Sequence, residues 1–113
     1  MLRPSPWIRV GNEESRFDIR FVPGEAWIEV RMKRDPVKGL DWAAVLMISR
    51  DGRPLPVCLF DNAHGYPEMH RYREGVKLAG EPVPPRATAR EDLPAAIAEI
   101  KRGWRDMVER WER

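Results

Sequence analysis

RFDIRFVPGEAWIEVRMK, residues 16–33, alternates with a period of two, turns once, and alternates again. Phe17, Ile19 and Phe21 fall on one side of an extended chain, and Asp18 and Arg20 on the other, because successive side chains of a strand point to opposite faces. Val22 to Glu25 is a turn in which Pro23 presets φ at the second position. Gly24 supplies the positive φ that a type II turn needs at its third. The chain then places Ala26, Ile28, Val30 and Met32 on one face and Trp27, Glu29, Arg31 and Lys33 on the other. Two such runs joined by Pro-Gly predict an antiparallel hairpin with one apolar face to bury.

Further downstream, residues 34–39 read as a loop, and AAVLMI (43–48) is apolar on both faces, as expected of the most buried strand. Asp51-Gly52 signals a tight hairpin turn into residues 55–60, whose Pro56 belongs at a strand's start or on an edge. Residues 68–73 return antiparallel and stop at Gly75, which closes the sheet region at 16–75. Residues 79–88, with Pro82, Pro84 and Pro85, read as an extended crossing without hydrogen bonds of its own. Upstream, residues 1–15 read as an arm or short edge strand around Trp7 to Val10.

Leu93, Ile97, Ile100, Trp104, Met107 or Val108, and Trp111 recur at three- and four-residue steps and predict a helix over 92–111. Asp92 suits the N-cap, with Pro94 in the first turn where its missing N–H costs nothing. Thr88 to Glu91 also reads as a capping box, but a helix begun there puts Pro94 deep inside it. The expected fold class is α+β: an antiparallel sheet of four to five strands with one long C-terminal helix packed on one face.

The chain has 113 residues, 42% hydrophobic and 34% charged, which suits a single domain, 1–113. Five tryptophans supply core material that disordered chains lack. No stretch approaches the ~20 consecutive apolar residues of a membrane helix, and the N-terminus has no apolar leader. A lone cysteine, Cys58, permits no internal disulfide. A cytoplasmic location without membrane association is the resulting expectation. The net charge of +2 is too small for nonspecific attraction to nucleic acid. The cations are mostly arginine, which forks onto phosphate and stacks on bases, although codon usage in a GC-rich genome also favours it.

There is no glycine-rich phosphate loop, GxSxG elbow, HExxH or CxxC. Cys58, inside an apolar strand, reads as a small buried hydrophobe. The segment unlike scaffold is DNAHGYPEMHRYREG, residues 61–75, which holds both histidines of the chain. His64 falls on the loop, and His70 on the returning strand with Glu68 and Tyr72, opposite Met69, Arg71 and Arg73. Two imidazoles at one phosphodiester can divide general-base and general-acid work near neutral pH. An arginine can stabilise charge on the phosphoryl oxygens, and an aromatic ring can stack on a base. The candidate catalytic residues are therefore His64, His70, Arg71, Arg73 and Asp61. The candidate binding residues are Asn62, Tyr66, Tyr72, Lys77 and Trp27. His64, His70 and Asp61 or Glu68 also offer metal ligands, but the spacing matches no standard site and lacks one donor, so neither metal nor cofactor is assigned.

Residues 51–72, DGRPLPVCLFDNAHGYPEMHRY, resemble the core of small bacterial toxins of TumE type and their relatives. In that family a strand ends in an Asp-Asn-Ala-His turn, matched by Asp61, Asn62, Ala63 and His64, with later histidines matched by His70. The resemblance implies a toxin of a toxin–antitoxin module acting on RNA, with an antitoxin protein as partner. The expected function is metal-independent RNA cleavage or RNA binding. The alternative is a non-enzymatic interaction module. Trp27 and Trp111, in excess of one core, lead to the expectation of a homodimer.

Overall fold

The structure, a computed structural model, describes residues 14–86 and 88–113. The expected arm at Trp7 to Val10 lies outside the described residues. The chain forms strands β1 (Ser15–Val22), β2 (Ala26–Asp35), β3 (Gly39–Arg50), β4 (Arg53–Asp61), β5 (Glu68–Arg73) and β6 (Val76–Pro82), then helix α1 (Ala89–Glu112). The six strands make one antiparallel meander in chain order, and α1 lies across β3, β4 and β5.

The period-two reading places the apolar face correctly. Ala26, Ile28, Val30, Trp42, Ala44, Leu46, Ile48, Cys58 and Phe60 form the core with Leu93, Ala96 and Ile100 of α1, and Phe17, Ile19 and Phe21 pack at its margin. Phe21 meets Trp104 edge to face, with ring centroids 6.1 Å apart. Cys58 sits beneath the helix, its Sγ 3.4 Å from Met107 Sδ. Burial pushes its thiol up to about 12, which leaves no thiolate for chemistry near neutral pH. Among the described residues no helix is long and apolar enough to cross a membrane.

Among the described residues the sheet has six strands rather than four or five, because residues 76–82 pair with β5 instead of leading into an unpaired crossing. β6 is an edge strand and nearly every residue in it is exposed, so no alternation marks it. Its Pro82 stands at the strand end, where a missing N–H is tolerated. Pro54 and Pro56 are admitted for a related reason. β5 pairs with β4 only from Cys58 onward, so among the described residues the first half of β4 has a free edge, and the β3–β4 register shifts between Leu46 and Met47.

The helix begins at Ala89, three residues before its expected start, with Thr88 as N-cap and its side chain accepting the Glu91 N–H at 3.3 Å. Pro94 is therefore inside α1. Asp92 is not the cap. It is buried, and its carboxylate accepts the Arg86 N–H at 2.6 Å, tying the incoming chain to the first turns. Leu93 and Ala96, either side of the proline, are buried in the core, so tertiary packing holds a turn that local propensity disfavours.

Candidate functional site

β4 ends in Asp61 and β5 begins with Glu68, and the register sets these two residues directly opposite each other. Alternation sends Asp61, Glu68 and His70 to the face away from α1, while Phe60, Met69 and Arg71 go to the helix side. Asp61, Glu68 and His70 are all buried, at 7%, 6% and 6% exposure. One ligand atom from each lies within 4.8 Å of the others. His70 Nε2 is 3.6 Å from Asp61 Oδ1. On its other side the ring meets the Leu78 carbonyl of β6, 2.9 Å from Nδ1. A carbonyl only accepts, so Nδ1 carries the proton and Nε2 faces the carboxylates.

The connection from β4 to β5 brings His64 back over this cluster. Its Nδ1 lies 2.6 Å from Glu68 Oε1, while the side chain is 66% exposed. The carboxylate accepts, Nδ1 donates, and Nε2 is turned outward. Tyr66 tilts against the imidazole, with centroids 6.3 Å apart. The two histidines thus converge on Glu68 but differ in access, since the His70 side chain is 7% exposed. Gly80 makes room for the arrangement: a Cβ there would collide with Glu68 Oε2 and stand 2.8 Å from His70 Cε1.

Asn62 holds the turn rather than facing a ligand. Its Oδ1 accepts the Trp42 N–H at 3.0 Å, and its Nδ2 donates to the Leu40 carbonyl at 2.7 Å, so the side chain continues the β3 ladder beyond the end of β4. Its own carbonyl receives Gly65 N–H and Lys38 Nζ. Asn62→Ala would orphan two main-chain groups at a residue only 2% exposed. The expected loss is about 2–6 kcal/mol, at roughly 1–3 kcal/mol per unsatisfied group, measured by urea unfolding. A change below about 0.5 kcal/mol would show that the turn does not depend on the amide.

The other sequence candidates divide between the two faces. Tyr72, Lys77 and Trp27 share the face of the cluster. Burial raises the Tyr72 hydroxyl, an effect partly opposed by the Arg31 guanidinium, which shares that face. Trp27 is half-buried, with its Nε1 donating to Glu29 and Arg20 stacked over the ring at 5.4 Å. Arg71 and Arg73 are on the other side. Both line a cavity of about 580 Å³ under α1 with Trp42, Phe60 and Met69. Arg71 Nε lies 3.8 Å from Glu81, and Arg73 donates to the Arg113 carbonyl. They do not meet the imidazoles.

Glu68 is the residue that sequence reasoning left out of the catalytic set. The signal for it was its four-residue step from His64. Arg31 was also passed over, because its influence on Tyr72 joins β2 to β5, strands that are not neighbours in the sheet, and spacing along the chain does not show it. No protein-family model, no curated protein and no solved structure matches the chain.

Proposed function

We propose that this centre cleaves single-stranded RNA, with His64 as the proton-transferring residue. The observation that carries the reading is the His64–Glu68 pair: an exposed imidazole fixed through Nδ1 by a buried carboxylate at 2.6 Å, with Nε2 left for substrate. A base held by an orienting acid is the working part of many hydrolytic sites. His64 Nε2 takes the proton of a ribose 2′-hydroxyl, whose oxygen attacks the adjacent phosphorus. The 5′-oxygen leaves and collects a proton from solvent.

His70, buried and bound to Leu78, serves as a positioning residue in this scheme and not as the second proton carrier. Charge on the phosphoryl oxygens falls to Arg31 in place of Arg71 or Arg73. Arg16, Arg20, Arg31, Lys33 and Lys77 on the same face attract the backbone, and Tyr72 and Trp27 offer rings for bases. The pull is moderate, because Glu14 pairs with Arg16 and Arg31, and Asp18 with Arg20. The resemblance to TumE-type toxins supports the same substrate and adds an antitoxin-type partner. Self-association belongs to the proposal too, and sedimentation at tens of micromolar decides it.

The test is incubation of the purified chain with unstructured RNA. Cleavage by the wild type and its loss in His64→Ala supports the reading. Intact RNA, or equal cleavage by both proteins, overturns it. RNA that is bound but never cut leaves the interaction-module alternative in its place.

A further inference from the structure

We infer that Asp61, Glu68 and His70 form a binding site for a divalent transition-metal cation. The inference goes beyond the proton chemistry of His64 and does not rest on RNA being the substrate. Three features point to it. Asp61 Oδ1 is buried and, among the described residues, has no hydrogen-bond partner, which is costly for a carboxylate oxygen. It is aimed at His70 Nε2, 3.6 Å away. A separation of that order is what two ligand atoms show when each stands about 2.0–2.2 Å from a shared cation.

The second feature is the orientation of His70. A ligating histidine usually donates its remaining N–H to a carbonyl or carboxylate, which fixes the ring and leaves the other nitrogen for metal. His70 does this through Nδ1 and the Leu78 carbonyl at 2.9 Å, so Nε2 presents its lone pair to the cluster. The Leu78 contact comes from β6, the strand whose Gly80 leaves the space beside Glu68 and His70. The scaffold around the site is therefore shaped for these side chains.

The third feature is charge. Two carboxylates facing each other at less than a tenth exposure repel unless a cation or a proton joins them. Among the described residues neither has a lysine or arginine within ion-pair distance; their partners are imidazoles alone. A dication matches the two negative charges. One nitrogen and two carboxylate oxygens suit zinc or manganese rather than the all-oxygen shells of calcium and magnesium. Three protein ligands leave a position open next to His64, where water or substrate can complete the shell.

Isothermal titration of the whole chain with ZnCl2, after stripping with chelator and without RNA, tests the site. One equivalent should bind, and Asp61→Asn, which keeps the side-chain shape, should weaken it. Loss of an outer contact typically costs about 10–100-fold in affinity, so loss of a ligand should cost at least ~100-fold. No binding, or binding unchanged in Asp61→Asn, overturns the inference. Should that variant fail to fold, Co2+ absorption of the wild type decides. A four- or five-coordinate nitrogen–oxygen spectrum supports the site, and the spectrum of the free aqueous ion refutes it. The two proposals fail separately. Zinc bound without RNA cleavage sinks the function, and chelator-resistant cleavage without zinc binding sinks the site.

Discussion

His64→Ala is expected to lower the rate of RNA cleavage by about 10²–10⁴-fold, the range for removing a positioned general base. The fold should survive, because the His64 side chain is 66% exposed and contacts the cluster at its rim. Glu68→Gln is the companion variant. It keeps the size and an accepting oxygen but removes the charge that favours a proton on His64 Nδ1, so its rate should fall by less than that of His64→Ala. Arg71→Ala and Arg73→Ala, on the far side of the sheet, should leave the rate within about threefold of wild type, since neither can reach a phosphate held by His64. A large loss in either arginine variant, with His64→Ala unaffected, would move the chemistry to the helix side.

A large loss of stability should come from Ile100→Ala. Ile100 is fully buried, at the centre of the apolar stripe by which α1 lies on the sheet. Truncation removes three methyl or methylene carbons from a packed core and leaves a cavity that a helix pinned at both ends cannot collapse. Thr88 caps one end, and an Arg50–Glu112 ion pair joins the last turn to β3. Ile→Ala substitutions in such settings cost about 2–5 kcal/mol, and complete burial places this one at about 4. Equilibrium unfolding in urea measures it. A loss under about 1 kcal/mol would mean that the helix is not packed on the sheet as described.

The fold was legible wherever burial leaves a period in the sequence. β1 and β2 bury one face each, and their alternation placed Phe17, Ile19 and Phe21 and the β2 residues Ala26, Ile28, Val30 and Met32 on the core side where they are found; the register shift after Arg20 and the packing of Val22 against the core left no such mark. β5 was bounded by residues 68 and 73, as found. β6 was not legible, because an exposed edge strand has no face to bury and Gly80 and Pro82 read locally as breakers. The helix start was misplaced by weighting Pro94 above the Thr88 cap. A proline's local cost was assessed without the packing of Leu93 and Ala96 that outweighs it.

For the site, spacing put His70 and Tyr72 on one face and Arg71 and Arg73 on the other, yet all four were retained as candidates for a single phosphate. The pairing of Asp61 with Glu68, the Leu78 carbonyl behind His70 and the space over Gly80 all depend on strand register. One strand's sequence does not specify what its neighbour sets beside it. Asn62 read as a ligand-facing turn residue because an exposed amide and one replacing a ladder hydrogen bond look alike in sequence.

The central claim is that buried Glu68 orients an exposed His64 for chemistry, and the imidazole nitrogens report on it directly. Long-range 1H–15N spectra of the metal-free protein should show neutral His64 and neutral His70 both protonated at Nδ1, the less common tautomer of a free histidine side chain. In Glu68→Ala, His64 should revert to the Nε2-protonated form, while His70 keeps its proton on Nδ1 through the Leu78 carbonyl. A wild-type His64 protonated at Nε2, with a spectrum unchanged by Glu68→Ala, would contradict the account.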